Sequence, residues 1–312
     1  MNTEHSASHQ PPSRAIKILL AALCVLTLIL VGLGAYVRTT GAGLSCPDWP
    51  LCYGVVVPDF SIAGVPQEVI HRYIASLVGF LCIVLVALSW RERAAQPKLA
   101  KFSIGLLALV IVQGVFGGLT VTQKLHPHIV TTHLTLGTLF FQLIALATIQ
   151  AMLAHKNRPL ITAEPKVRGL LLLGIVTTAL QIILGGYVGA SGASLACLDF
   201  PLCGGALVPE NATSHQLVQI SHRLLGYVLT AVVLWLFFAV RKSSEGIAAR
   251  RGHFGGMVFM IFLQIIIGVG NIHMKIAPAM SVVHLVLAQL ILFGLTSAQG
   301  QISPRWQIVR KV

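Results

Sequence analysis

The chain has 312 residues, of which 55% are hydrophobic and 10% charged. Soluble domains carry roughly 25% charged residues, and this much apolar surface would leave large exposed patches on a soluble fold, so the composition defines an integral membrane protein. The formal net charge of +13, from 22 Lys and Arg against 9 Asp and Glu, fits either a nucleic-acid partner or the basic cytoplasmic loops of a multi-span protein.

Apolar stretches of about 20 residues cross a bilayer as helices. Eight are predicted, at 16–37, 68–90, 102–122, 129–153, 168–188, 217–240, 254–272 and 279–299. Residues 1–15 are polar, contain Pro11 and Pro12, and are predicted to be a disordered cytoplasmic tail. Ile18 to Val37 carries no charge; it is long for a signal peptide and lacks a small-residue cleavage site. An N-terminal four-helix bundle is expected over 16–154, a cytoplasmic linker over 155–167, a second bundle over 168–300 and a cytoplasmic tail over 301–312. The fold class is all-α, with two tandem pseudo-symmetric bundles.

The two ends, 91–101, 155–168 and 241–253 hold 17 of the 22 basic residues, and the opposite side holds Arg38, Arg72, Lys124, Arg223 and Lys275. Cytoplasmic loops collect Lys and Arg, so both termini are expected in the cytoplasm. The excess charge is spread over these loops, which leaves nucleic-acid binding without support. The long loops 38–67 and 189–216 then face an oxidising space, where disulfides persist.

An offset of 151 residues relates the two halves. It takes Cys46 to Cys197, Cys52 to Cys203, His71 to His222, His133 to His284, Arg72 to Arg223, Gln113 to Gln264 and Gly117 to Gly268. Across 34–54 against 185–205, 12 of 21 positions are identical. Four spans per repeat is an even number, so the halves share one orientation and a pseudo-two-fold axis along the membrane normal.

His71, His133, His222 and His284 fall on the even-numbered spans, each about one turn inside its outer start. An isolated intramembrane histidine is often satisfied by a neighbouring hydroxyl or carbonyl. Four at one depth, repeated by symmetry, point to function. Zinc needs three or four ligands, which the surroundings do not supply twice. Two axial imidazoles per bundle suit one haem per bundle, and a proton relay is a further option. His126, His128, His215 and His273 have no histidine at the 151-residue offset and are read as solvated.

The symmetry breaks at Glu68-Val69-Ile70-His71-Arg72, which becomes Gln219-Ile220-Ser221-His222-Arg223. Glu68 shares a helix face with His71. A carboxylate beside one site and an amide beside the other indicate different roles, with Glu68 a candidate proton acceptor; the plainer role is a charge at a helix N-terminus. Arg72 and Arg223 suit haem propionates, or snorkel to lipid headgroups. The pairs Cys46/Cys52 and Cys197/Cys203 each enclose five residues, as loop staples or as exchangeable redox pairs. Cys24 and Cys82 read as small core residues.

Eight spans, duplicated bundles, histidines on the even spans, the Glu-x-x-His-Arg segment and the paired outer cysteines together resemble the haem A synthase family, over about residues 16–300. That resemblance implies an oxidoreductase that converts the C8 methyl of haem O to the formyl group of haem A, for cytochrome oxidase. It implies His71 and His133 as axial ligands of the substrate haem O, and His222 and His284 as ligands of a permanent haem b. It also implies a catalytic Glu68 and disulfides Cys46–Cys52 and Cys197–Cys203. The implied setting is the inner (plasma) membrane, with haem O synthase and oxidase assembly factors as partners and a homo-oligomeric state. The alternatives are a two-haem b-type cytochrome for electron transfer and a haem transporter or chaperone.

Overall fold

The computed structural model describes residues 10–154 and 160–309. It is all-helical, with eight helices long and apolar enough to cross a membrane. They are α1 (Arg14–Thr39), α2 (Val65–Arg91), α3 (Pro97–Thr122), α4 (Pro127–Leu153), α5 (Pro165–Ala190), α6 (Ser214–Lys242), α7 (Arg251–His273) and α8 (Pro278–Ile302). Each is longer than its predicted apolar span, because helix ends are set by caps rather than by hydropathy. Five begin with a proline in the first turn, where its missing N–H costs no hydrogen bond. Ser13 caps α1, and Thr213 closes a capping box with Gln216 on α6.

The predicted tail and linker lie partly outside the described residues, at 1–9, 155–159 and 310–312. The described part of the N-terminal tail, residues 10–13, makes two hydrogen bonds to the α2–α3 connection. The Gln10 carbonyl accepts from Gln96, and the Ser13 N–H donates to Glu92. These bonds tie the approach to α1 onto the α2–α3 connection. Likewise, Gln150 of α4 holds the backbone of residues 306, 308 and 309 beyond α8.

Helices α1 to α4 pack in a closed ring, as do α5 to α8, and the rings meet through α1 on α8, α4 on α5 and α4 on α8. Swapping α1 for α5 and α4 for α8 leaves this set of contacts unchanged. The α4–α8 seam carries a buried amide network. Gln142 donates to the Gln289 carbonyl at 3.0 Å, Gln289 donates to Thr138 Oγ1 at 2.8 Å, and Thr296 donates to Gln142. Thr138 and Gln289 are related by the 151-residue offset, so equivalent positions meet at this seam.

The turns repeat as closely. Lys124 and Leu125 after α3, and Lys275 and Ile276 after α7, all adopt positive φ. In both turns the second residue's N–H returns to a carbonyl five residues back, Leu125 to Thr120 and Ile276 to Asn271.

Each ring is filled unevenly. Ile16, Leu20, Leu85, Leu106, Phe140 and Ile144 belong to one apolar core, and Leu171, Leu236, Phe254, Ile261, Ile291 and Leu295 to another. Both cores lie toward the end that carries the basic loops. Toward the opposite end, the cysteine-loop end, the clusters of buried apolar side chains are small and lie under the loops, around Val65 and Val69 and around Ile220. Between these layers the helices present histidine, glycine and glutamine. Large side chains such as Phe80, Ile111, Trp235 and Phe259 point outward, as suits a lipid-facing surface.

Candidate functional site

The four histidines occupy the part of each ring that the apolar cores leave free. His71 (α2) and His133 (α4) lie close enough to interact electrostatically, and so do His222 (α6) and His284 (α8). Each imidazole lies against a glycine of the preceding helix. A Cβ at Gly34, Gly117, Gly185 or Gly268 would stand 3.5, 3.3, 2.8 or 3.0 Å from the Cε1 of His71, His133, His222 or His284. Glycine at these positions lets the Cε1 edge of each ring approach the neighbouring backbone.

All four rings are half-buried, and in each the buried Nδ1 has no protein partner among the described residues. A buried polar atom without a partner costs about 1–3 kcal/mol, so four related cases mark places built for a ligand. Among the described residues no group of three or more His, Cys, Asp or Glu side chains is placed to hold a metal ion. Two imidazoles per ring, each with an unpartnered Nδ1 and no third ligand beside them among the described residues, fit a haem iron.

Glutamines orient this set. Gln113 donates to the His133 carbonyl at 3.0 Å, and its counterpart Gln264 to the His284 carbonyl at 3.0 Å. Gln181 donates to the His222 carbonyl at 2.9 Å. Leu30 stands at the position equivalent to Gln181, so His71 lacks this support. The 151-residue repeat marked Gln113 and Gln264 without revealing what they bind. Gln181, which has no repeat partner, left no signal.

Glu68 and Gln219 are both buried, at 5% and 4% exposure. Both anchor a cysteine loop in the same way. The Glu68 carboxylate accepts the Cys46 N–H at 2.9 Å, and the Gln219 amide oxygen accepts the Cys197 N–H at 2.5 Å. Thereafter they diverge. Arg72 Nη2 pairs with Glu68 Oε1 at 2.6 Å. Gln219 donates to the Ser194 carbonyl, and Arg223 Nη2 donates instead to the Cys197 carbonyl. The other guanidinium nitrogen of each arginine binds loop carbonyls, of residues 48 and 51 or of 199 and 202. The arginines suggested for propionates are therefore seated on the cysteine loops.

Each loop is closed by a disulfide, Cys46–Cys52 or Cys197–Cys203. Asp48 accepts the Tyr53 and Gly54 N–H groups, and Asp199 those of Gly204 and Gly205. The N–H of Gly54 first, and then that of Tyr53, hold Asp48 below the usual carboxylate range; Gly205 and then Gly204 do the same for Asp199. The loops differ in their ring. Trp49 packs on Gly118 of α3, beside Gly117 and His133, whereas Phe200 packs on Tyr227 and Arg223. Cys24 and Cys82 are free, the first half-buried and the second buried.

Fold and site together define a multi-pass helical membrane protein with two paired-histidine sites. Comparison with known sequences narrows this. The profile of the cytochrome oxidase assembly protein family (COX15-CtaA) matches residues 17–64 and 65–296, and the chain belongs to that family. It is 29% identical to the haem A synthase of Shewanella oneidensis over 321 residues, covering 89% of this chain and 94% of the relative. It is 30% identical to that of Symbiobacterium thermophilum over 246 residues, covering 77% and 80%. To that of Shouchella clausii it is 31% identical over 224 residues, covering 69% and 73%.

Proposed function

We propose that the protein is a haem A synthase, which oxidises the C8 methyl of haem O to the formyl group of haem A. The observation that carries this is the pair of histidine sites that share one scaffold and differ in a single buried acid, Glu68 against Gln219. The named relatives support it.

In this reading His71 and His133 hold the iron of the substrate haem O. His222 and His284 hold a resident haem b, which when bound supplies one-electron transfer. Gln181 and Gln264 fix the backbone of both haem b ligands, as suits a cofactor that stays. Glu68 lies one turn before His71 and accepts a proton at Oε1, the oxygen paired with Arg72, as the methyl is oxidised. The Cys46 N–H on Oε2 keeps that carboxylate in place. The positive-inside asymmetry supports cytoplasmic termini, with the cysteine loops and both sites toward the outer face of the plasma membrane. A two-haem electron carrier needs no buried acid at only one of its sites, so the difference at Glu68 runs against it.

The test is pigment extraction from protein purified out of cells that make haem O. The synthase yields haem b together with haem O, its hydroxylated form or haem A. Two equivalents of haem b, and no haem A, would instead identify a carrier.

A further inference from the structure

Arg38 stands in the last turn of α1, and its 151-residue counterpart on α5 is Gly189. The two positions meet across the halves. A Cβ at Gly189 would lie 2.6 Å from Arg38 Nη1 and 2.7 Å from Cζ. One copy thus supplies a guanidinium and the other the space it occupies. One turn deeper on the same helices, Gly34 lies on His71 and Gly185 on His222. The cation therefore sits one turn toward the cysteine-loop end from the first histidine of each pair.

Arg38 is half-buried, and among the described residues its guanidinium has neither a hydrogen-bond acceptor nor an ion-pair partner. The nearby arginines are both satisfied, Arg72 by Glu68 and loop carbonyls and Arg223 by loop carbonyls. An arginine withdrawn from water at a membrane-embedded seam is costly without an anion. Its planar fork matches a carboxylate in two-point fashion. Two sources offer such an anion here, a haem carboxylate from inside the protein and a lipid phosphate from outside.

We propose that Arg38 binds a propionate carboxylate of a haem held in these sites, at the junction of the two halves. This rests on the haem reading of the histidine pairs.

The test measures the affinity of the haem-stripped full-length protein for protohaem and for its dimethyl ester, which lacks the carboxylates. Wild type should favour the acid. Arg38→Gln should lose roughly tenfold of that preference, about 1.4 kcal/mol. Arg38→Lys should keep part of it. Gly189→Ala, which pushes the guanidinium aside, should behave like Arg38→Gln and covers the case in which Arg38→Gln fails to fold. Binding to phosphatidylglycerol and phosphatidylcholine vesicles is compared alongside. An intact acid-over-ester preference in both Arg38→Gln and Gly189→Ala overturns the proposal. So does a substitution that alters only phosphatidylglycerol binding, which assigns Arg38 to lipid. Wild type that binds neither porphyrin refutes the haem reading instead.

Discussion

In the N-terminal half a carboxylate, Glu68, pins Cys46 and pairs with Arg72; in the C-terminal half an amide, Gln219, pins Cys197 while Arg223 turns to a carbonyl. The comparison separates two roles that one half alone would confuse. Holding the loop needs only an acceptor oxygen, which both side chains supply. The charge on Glu68 is thus not needed to hold the loop; it is met by Arg72, and in the proposed reading it serves chemistry. A second difference has the same sense. Glutamines bind the carbonyls of both histidines in the C-terminal half, but only that of His133 in the N-terminal half. A tied pair suits a resident group, and a looser pair suits one that enters and leaves.

The largest expected effect breaks the comparison outright. His222→Ala should abolish the resident haem, and His71→Ala should leave it bound while abolishing conversion; haem content and product are both read from extracted pigment. Equal haem loss in the two variants would mean that the halves do not divide the work. Glu68→Gln comes next, because it gives the N-terminal half the C-terminal side chain. The amide oxygen still accepts the Cys46 N–H, but the ion pair with Arg72 is lost, so thermal stability should fall modestly. Conversion should fall by about 100-fold or more, the usual scale for a general acid or base. Haem A formed at the wild-type rate would return Glu68 to a purely structural role.

Much of this was legible in the sequence because membrane helices announce themselves by length and composition, and a duplicated chain can be compared with itself. The eight spans, the histidine set and the Glu68/Gln219 break needed nothing more. What stayed hidden depends on contacts across the bundle. Gly189 is an ordinary helical glycine until Arg38 is seen lying on it. Gln181 is one polar residue in an apolar span until it reaches the His222 carbonyl. The arginines suited propionates by residue type, but their loop carbonyls lie more than 20 residues away in sequence, beyond the reach of a local motif. Helix ends moved outward because proline and capping residues set them.

Smaller effects sharpen the comparison. Cys46→Ser with Cys52→Ser frees a short loop and should cost about 2 kcal/mol, seen as a lower melting temperature. The matching Cys197→Ser and Cys203→Ser pair should cost the same, because both disulfides close the same sequence separation of 6 residues. Gln181→Leu copies the N-terminal half onto the C-terminal one. It removes the hydrogen bond to the His222 carbonyl, of about 1 kcal/mol, and the contact with the His222 ring Nε2, and should speed haem loss from the C-terminal site without touching conversion chemistry.

The smallest effect is a shared response to acid. Asp48 and Asp199 are each held below the usual carboxylate range by two backbone N–H groups of their own loop. A carboxyl whose folded value is depressed stabilises the fold above its unfolded value, and that contribution is lost as pH falls through the folded value. Both loops should therefore be indifferent to pH from neutrality down to about 4, the ordinary carboxylate range, and loosen below it. Both aspartates are only half-buried, so the change is modest. Hydrogen exchange at the Gly54 and Gly205 amides reads it directly, once corrected for the intrinsic pH dependence of exchange. Asp48→Asn should abolish the response in the first loop and leave the second unaltered. An acid response that survives in Asp48→Asn would place the titrating group elsewhere.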